Sequence, residues 1–281
     1  MKQTIIFGAG QGGKMLHKLL SPEYEVIAFA DRNPGKWGNS IEGVPVLSQE
    51  RALDLDPDCI WISILNREVS GQVYSQLMRM GFIGEINSLE NIRNCYDIRL
   101  AGLRLISEEI IRRKVLGDIA ELGVYQGHFS IELNRIFPDR TLHLFDTFEG
   151  FSENDLYADK VRGEKEPVFI DFSHSSVQQV KAMLPNPENA SFHKGFFPDT
   201  IPESEIKYAL VSLDADLFAP TYSGLKYFYP RLSKGGAIII HDYNSMQYLG
   251  AGEAARKYCD ENGIYLVPYC DFHGSAVLVK N

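Results

Sequence analysis

Long apolar runs are missing from this sequence of 281 residues. A membrane-spanning helix needs ~20 consecutive apolar residues, and no stretch approaches that, so no membrane span is expected. Basic charge is also scarce. Lys and Arg number 28 against 37 Asp and Glu, for a formal net charge of −9. Nucleic acids and anionic surfaces demand clustered cations, so neither is an expected partner. The short basic stretch IIRRK at 110–114 reads as a solvated helix face. Cysteine is thin too. Cys59, Cys95, Cys259 and Cys270 are scattered with no C-x-x-C pair. This argues against a zinc site or a disulfide framework and fits thiols in a reducing cytoplasm. The opening MKQTIIFGAGQGG meets glycine after a very short apolar run and does not read as a signal peptide. A cytoplasmic location is therefore expected.

What is present is an α/β alternation in two series. TIIFGAG, EVIAFAD and CIWISIL read as strands, with helical spacing in GGKMLHKLL and EVSGQVYSQLMRMG between and after them. Such alternation implies a parallel sheet. Residues 92–114 then carry one long helical pattern, which places a domain boundary at 92/93. A second series follows: GDIAELGV, TLHLFD, ASFHKG, YALVSLDAD, GGAIIIHD, IYLVPYC and GSAVLVK. The expectation is two Rossmann-like domains, 1–92 and 93–281. The second carries up to seven strands, with an antiparallel hairpin closing an otherwise parallel sheet.

Gly8, Gly10 and Gly13 have dinucleotide-loop spacing between a strand and a helix, and Asp31 ends the next strand. Glycines permit a tight turn and close approach to phosphate at a helix N-terminus, and the acid can meet a ribose. Three readings stay open: NAD, a nucleotide or nucleotide sugar, or a purely structural turn. The stretch from Ile5 to Ser48 resembles the N-terminal domain of bacterial sugar acyltransferases and related polysaccharide-biosynthesis proteins. That resemblance implies nucleotide-sugar binding or a structural role.

In the second series, DIAELGVYQGHFS at 118–130 sets Glu121 before Gly123 and Gly127 and then a helix. An acid ahead of a glycine loop suits a cationic ligand such as S-adenosylmethionine, although Glu121 can equally cap nearby backbone. Asp146 ends the next strand, where an acid can meet a ribose diol or cap the following helix. Tyr125, Thr147 and Phe148 complete the expected cofactor-binding set. Residues 150–170 form a long polar stretch, expected to be a lid.

The segment IIIHDYN at 238–244 runs an apolar strand into two polar groups that are costly to bury alone. A short crossover joins it to YALVSLDAD, so Asp214 comes off one strand tip and His241 and Asp242 off the neighbouring one. These three are the candidate metal ligands, and Asp214 and His241 the candidate acid–base groups. The bland alternative is that Asp242 caps a helix and His241 fills a crevice.

ELGVYQGHFS, LFDTFEGF, GFFPDTIPE, LDADLFAPTYSGL, LSKGGAIIIHDY and GAGEAARKYCDE resemble, in order, the motifs of the macrocin O-methyltransferase family across residues 115–281. The resemblance implies a class I S-adenosylmethionine-dependent methyltransferase acting on sugar hydroxyls, with a divalent metal, usually Mg²⁺. It implies that Glu121, Gly123 and Gly127 form the cofactor loop, and that Asp146 is the acid after the second strand. Asp214 and Asp242 match its metal carboxylates, and His241 stands where antibiotic-pathway members have Asp. The expected activity is O-methylation of a small-molecule sugar or glycan acceptor. The rivals are an NAD-dependent oxidoreductase or epimerase and a non-catalytic nucleotide-sugar module. A homo-oligomer is left open.

Overall fold

The computed structural model describes residues 1–95, 97–151, 172–245, 248–271 and 274–281. The chain folds as two compact units, Met1–Ile98 and Arg99–Asn281. The boundary expected at 92/93 falls inside a helix of the first unit. The single helix expected over 92–114 is two helices among the described residues, one ending at Cys95 and one starting at Ile98.

In the first unit β1 (Lys2–Phe7), α1 (Gln11–Leu19) and β2 (Tyr24–Ala30) are followed by the two short strands β3 (Ser40–Ile41) and β4 (Val44–Leu47). Then come α2 (Gln49–Leu53), β5 (Cys59–Ile62), α3 (Arg67–Arg79), β6 (Glu85–Ser88) and α4 (Leu89–Cys95). The sheet order is β3-β4-β2-β1-β5-β6, parallel except for the β3–β4 hairpin. Glu42 and Gly43, both at positive φ, make that hairpin's turn, the backbone a two-residue hairpin prefers. Ile5, Phe7, Ile60 and Ile62 on the central strands pack with Val73 and Leu77 of α3 in one apolar cluster.

The second unit begins with α5 (Ile98–Arg112, whose first residue closes the first unit) and continues β7 (Asp118–Leu122), α6 (His128–Ile136), β8 (Leu142–Asp146) and α7 (Val177–Met183). β9 (Ala190–Lys194), β10 (Tyr208–Leu213), α8 (Phe218–Arg231), β11 (Leu232–Ile240), α9 (Leu249–Asn262), β12 (Val267–Pro268) and β13 (Ala276–Val279) follow. Seven strands lie in the order β12-β13-β11-β10-β7-β8-β9. β13 is antiparallel to both β11 and β12 and the remaining pairs are parallel, so the expected seven-stranded sheet with its end hairpin is present. All six residues of β10 are buried, which is why YALVSL carries no alternation: a central strand in a sheet with helices on both faces meets apolar neighbours on each side.

Register positions the site. Leu213 pairs with Leu122 of β7 and Ile240 of β11, and Leu122 pairs with Phe145 of β8. The carboxyl ends of β8, β7, β10 and β11 therefore stand side by side, about 4.8 Å between neighbours. Ligands of open parallel sheets bind at this edge.

Candidate active site

β7 leaves the sheet through Gly123 at φ +88. A Cβ there would lie 2.0 Å from the carbonyl oxygen of Asp214, so only glycine lets the β7 exit cross the β10 tip. Gly127 is at φ +79, and a Cβ would meet Val180 of α7 at 2.7 Å. Both glycines of the second loop are thus demanded by protein neighbours.

Four residues other than glycine hold left-handed backbone on these same four tips. They are Tyr125 after β7, Phe148 after β8, Asp216 after β10 and Asp242 after β11, with φ of 48°, 54°, 57° and 55°. Such conformations cost roughly 1–3 kcal/mol each and gather where side chains must be aimed.

Asp214, Asp216 and Asp242 each offer a carboxylate oxygen within 4.8 Å of one another. Burial, then the charge of Asp214, pushes Asp242 up to about 7. Burial, then Asp242 and Asp214, raises Asp216 well above the usual carboxylate range. A side-chain hydrogen bond between Asp216 and Asp242 adds to the coupling of these two carboxyls. Three oxygen donors short of positive charge fit a hard divalent ion such as Mg²⁺ or Mn²⁺.

Two members of this site went unforeseen. Asp216 lies in the same LDAD motif as Asp214, but its place in the cluster depends on its left-handed turn. Arg99, on the first turn of α5, places Nη2 at 2.5 Å from Oδ2 of Asp214. Its guanidinium carbon lies 4.5 Å from the centre of the Phe129 ring. Nothing in a helical pattern marks one arginine as site-facing.

His241 corrects the expected metal set, because Asp216 and not His241 joins Asp214 and Asp242. The imidazole is 2 % exposed. Nδ1 is 3.0 Å from Ser275 Oγ, and Nε2 is 3.2 Å from Ser212 Oγ. Ser275 Oγ donates to Asp271 at 2.6 Å, so Nδ1–H donates to Ser275 and Nε2 accepts from Ser212. With both ring nitrogens engaged in the core, His241 ties the end of β11 to β10 and to Ser275, the residue before β13.

Glu121 is buried against α6, accepting from the Ser130 hydroxyl, and burial pushes it up to about 8. Asp146 accepts the amides of Val124 at 2.6 Å, Tyr125 at 2.9 Å and Phe148 at 2.6 Å, knitting the two loops together. Thr147 Oγ1 donates to the Gly150 carbonyl at 2.8 Å. The lid expected at 150–170 lies, but for Gly150 and Phe151, outside the described residues.

The first unit has a cavity of about 290 Å³ of its own, lined by Gly8, Gly10, Gly13, Asp31, Arg32 and Lys36 among others. A Cβ on Gly13 would lie 2.0 Å from the Gly8 carbonyl oxygen, a packing demand, whereas one on Gly10 meets nothing within 4 Å. Asp31 accepts from Ala9 N, Asn33 N and Lys36 Nζ, each at 2.9 Å. Its burial raises the carboxyl's pKa, but these partners win and hold it below the ordinary value.

Residues 95–272 match the family described as Macrocin-O-methyltransferase (TylF). The chain belongs to this family. Residues 1–83 match a second family, described as C2185-like, N-terminal. Among family relatives, mycinamicin III 3''-O-methyltransferase of Micromonospora griseorubida is 29% identical over 231 residues, 73% of this chain and 90% of that protein. Demethyldecarbamoylnovobiocin O-methyltransferase of Streptomyces niveus is 31% identical over 173 residues, 56% of this chain and 60% of that protein. The solved O-methyltransferase NovP superposes with a TM-score of 0.55 at 26% identity, covering 66% of this chain and 80% of that one. No helix among the described residues is long and apolar enough to cross a membrane.

Two outcomes follow from the site's buried polar groups. His241→Phe leaves the buried Ser212 hydroxyl without its imidazole acceptor and takes the Nδ1–H donor from Ser275, which keeps its bond to Asp271, so chemical denaturation should show a loss of roughly 1–3 kcal/mol. Divalent-ion binding should not change, and a matched loss of ion affinity would restore His241 to the metal set. Glu121 is neutral in the folded chain at pH values where the unfolded chain has already lost that proton. The contribution of Glu121 to stability is then full below about pH 4.5 and is lost as pH rises toward 8. Glu121→Gln keeps a hydrogen-bonding partner for Ser130 and should flatten that fall in thermal melts taken from pH 5 to 8.

Proposed function

We propose that the second unit transfers a methyl group from S-adenosylmethionine to a hydroxyl of a sugar or sugar-linked small molecule. The observation that carries this reading is the row of four strand tips. Glu121 and its glycine loop, Asp146, the Asp214–Asp216 turn and Asp242 lie along one edge, in a chain of the macrocin O-methyltransferase family. The surplus of carboxylates there suits a ligand bearing an ammonium and a sulfonium. A relative from Streptomyces olivaceus is named as a 4'-O-methyltransferase of a rhamnosyl-tetracenomycin, which supports a glycosyl acceptor here.

S-adenosylmethionine, when bound, supplies an electrophilic methyl carbon on a sulfonium. Glu121 and Asp146 order the loops that face it: Glu121 from beneath α6, Asp146 by gripping the amides of Val124, Tyr125 and Phe148. Asp214, Asp216 and Asp242 would hold a divalent ion, which when bound polarises the acceptor hydroxyl and favours its deprotonation. Asp214 takes the hydroxyl proton, since both ring nitrogens of His241 are engaged by Ser275 and Ser212. The acceptor oxygen forms the new bond to the methyl carbon as the carbon–sulfur bond breaks, and sulfur keeps the electron pair as a neutral thioether. The remaining work is alignment of the oxygen with the sulfur–methyl bond.

A second ligand, a nucleotide or nucleotide sugar, fits the first unit's cavity. The open space at Gly10 and the cations Arg32 and Lys36 suit a phosphate more than a ribose diol, because Asp31 is already engaged three ways.

Calorimetric titration with S-adenosylhomocysteine, the expected product, tests the main reading. Micromolar one-to-one binding should weaken at least about tenfold in Glu121→Ala and Asp146→Ala. Absence of binding to the wild-type protein would remove the proposed reaction. With a glycoside acceptor in hand, Asp214→Asn should lose at least about a hundredfold in kcat. Both tryptophans, Trp37 and Trp61, belong to the first unit, and Trp37 Nε1 donates to the Asp31 carbonyl at 2.7 Å. Tryptophan fluorescence should therefore change on adding UDP or ADP, with a weaker response in Lys36→Ala. A flat titration with both nucleotides would leave the glycine loop a structural turn.

A further inference from the structure

Arg99 puts a permanent cation against the carboxylate that the proposed reaction uses most. Its Nη2 lies 2.5 Å from Asp214 Oδ2, and its charge also acts on Glu121, Asp216 and Asp242. A guanidinium keeps its proton at any physiological pH. The side chain rests on the Phe129 ring and is 19 % exposed, so it is neither walled in nor free in water. Its buried Nε has no hydrogen-bond partner among the described residues. One ion pair and one aromatic face therefore provide most of its hold.

We propose that Arg99 and a divalent ion are alternative partners of Asp214, so that Arg99 sets the ion affinity of the Asp214–Asp216–Asp242 group. This rests on the metal-assisted reading above. The argument is one of charge and of room. A dication among the three carboxylates and a guanidinium in contact with one of them repel each other strongly in a partly buried site. That repulsion is relieved when the guanidinium gives up Asp214. The side chain's 19 % exposure gives the guanidinium access to water, and the Phe129 face keeps a cation–π contact with it, when the ion pair is broken. Arg99 is thus a positioning and tuning group. It keeps three crowded carboxylates compensated and raises the threshold concentration at which an ion enters.

Mn²⁺ binding to the full-length protein, with free ion counted by electron paramagnetic resonance, tests this without reference to turnover. Arg99→Gln should bind Mn²⁺ at least about tenfold tighter than wild type. Arg99→Lys keeps the charge but loses the planar stacking on Phe129 and grips Asp214 at one point. It should fall between the two, and it carries the test alone if Arg99→Gln does not fold. A folded variant that binds Mn²⁺ no tighter than wild type overturns the inference, because a merely structural arginine predicts that result. Mn²⁺ bound equally by all three proteins sinks the competition and leaves the metal reading standing. Mn²⁺ bound by none of them, with S-adenosylhomocysteine still bound, sinks the metal reading and this inference with it.

Discussion

Crowding of like charge at the ends of parallel strands governs the second unit. Asp146, Asp214, Asp216 and Asp242 leave β8, β10 and β11 at one sheet edge, with Glu121 buried just inside the tip of β7. Carboxylates so close cannot all be ionised at neutral pH without a counter-charge. The structure answers in three ways: backbone amides bind Asp146, burial and mutual repulsion push Asp216 and Asp242 toward their neutral forms, and Arg99 pairs with Asp214. What remains is an excess of negative charge facing the side where ligands enter such a sheet. A cationic methyl donor and a divalent ion both meet that excess.

Holding this arrangement has a conformational cost. Tyr125, Phe148, Asp216 and Asp242 are all forced into left-handed backbone, and Gly123 and Gly127 are needed because side chains there would strike Asp214 and Val180. The buried chain Ser212–His241–Ser275–Asp271 acts from below. It pins the start of the β11 turn to β10 and to the hairpin, so that Asp242 leaves the sheet at a fixed angle.

Much of the fold is legible in the sequence. The apolar runs YALVSL and AIII, Tyr208 to Leu213 and Ala237 to Ile240, are what a strand buried on both faces requires, and the short crossover between them most simply joins neighbouring strands. The strands that escaped notice were β3, β4 and β6, which are four residues or fewer. β4 contains Pro45, and a strand so short shows no periodicity to read. The break between α4 and α5 escaped for a related reason, since apolar spacing alone does not register where a helical path stops and restarts.

At the site, the sequence by itself determined which tips carry acids. Asp146, Asp214 and Asp242 each follow an apolar strand, and chain order with parallel pairing brings strand ends together. Only the tertiary structure decided which side chains face the edge. His241 and Asp242 are adjacent in sequence, yet one enters the core and the other joins the cluster, because a left-handed residue at Asp242 redirects the chain at that point. Asp216 enters the cluster through the same kind of turn. Arg99 arrives from a helix 115 residues away in sequence from its partner, and no local pattern encodes a contact of that span. Chain order and strand pairing are local rules a sequence can state; the direction of a side chain at a tip depends on every element packed around it.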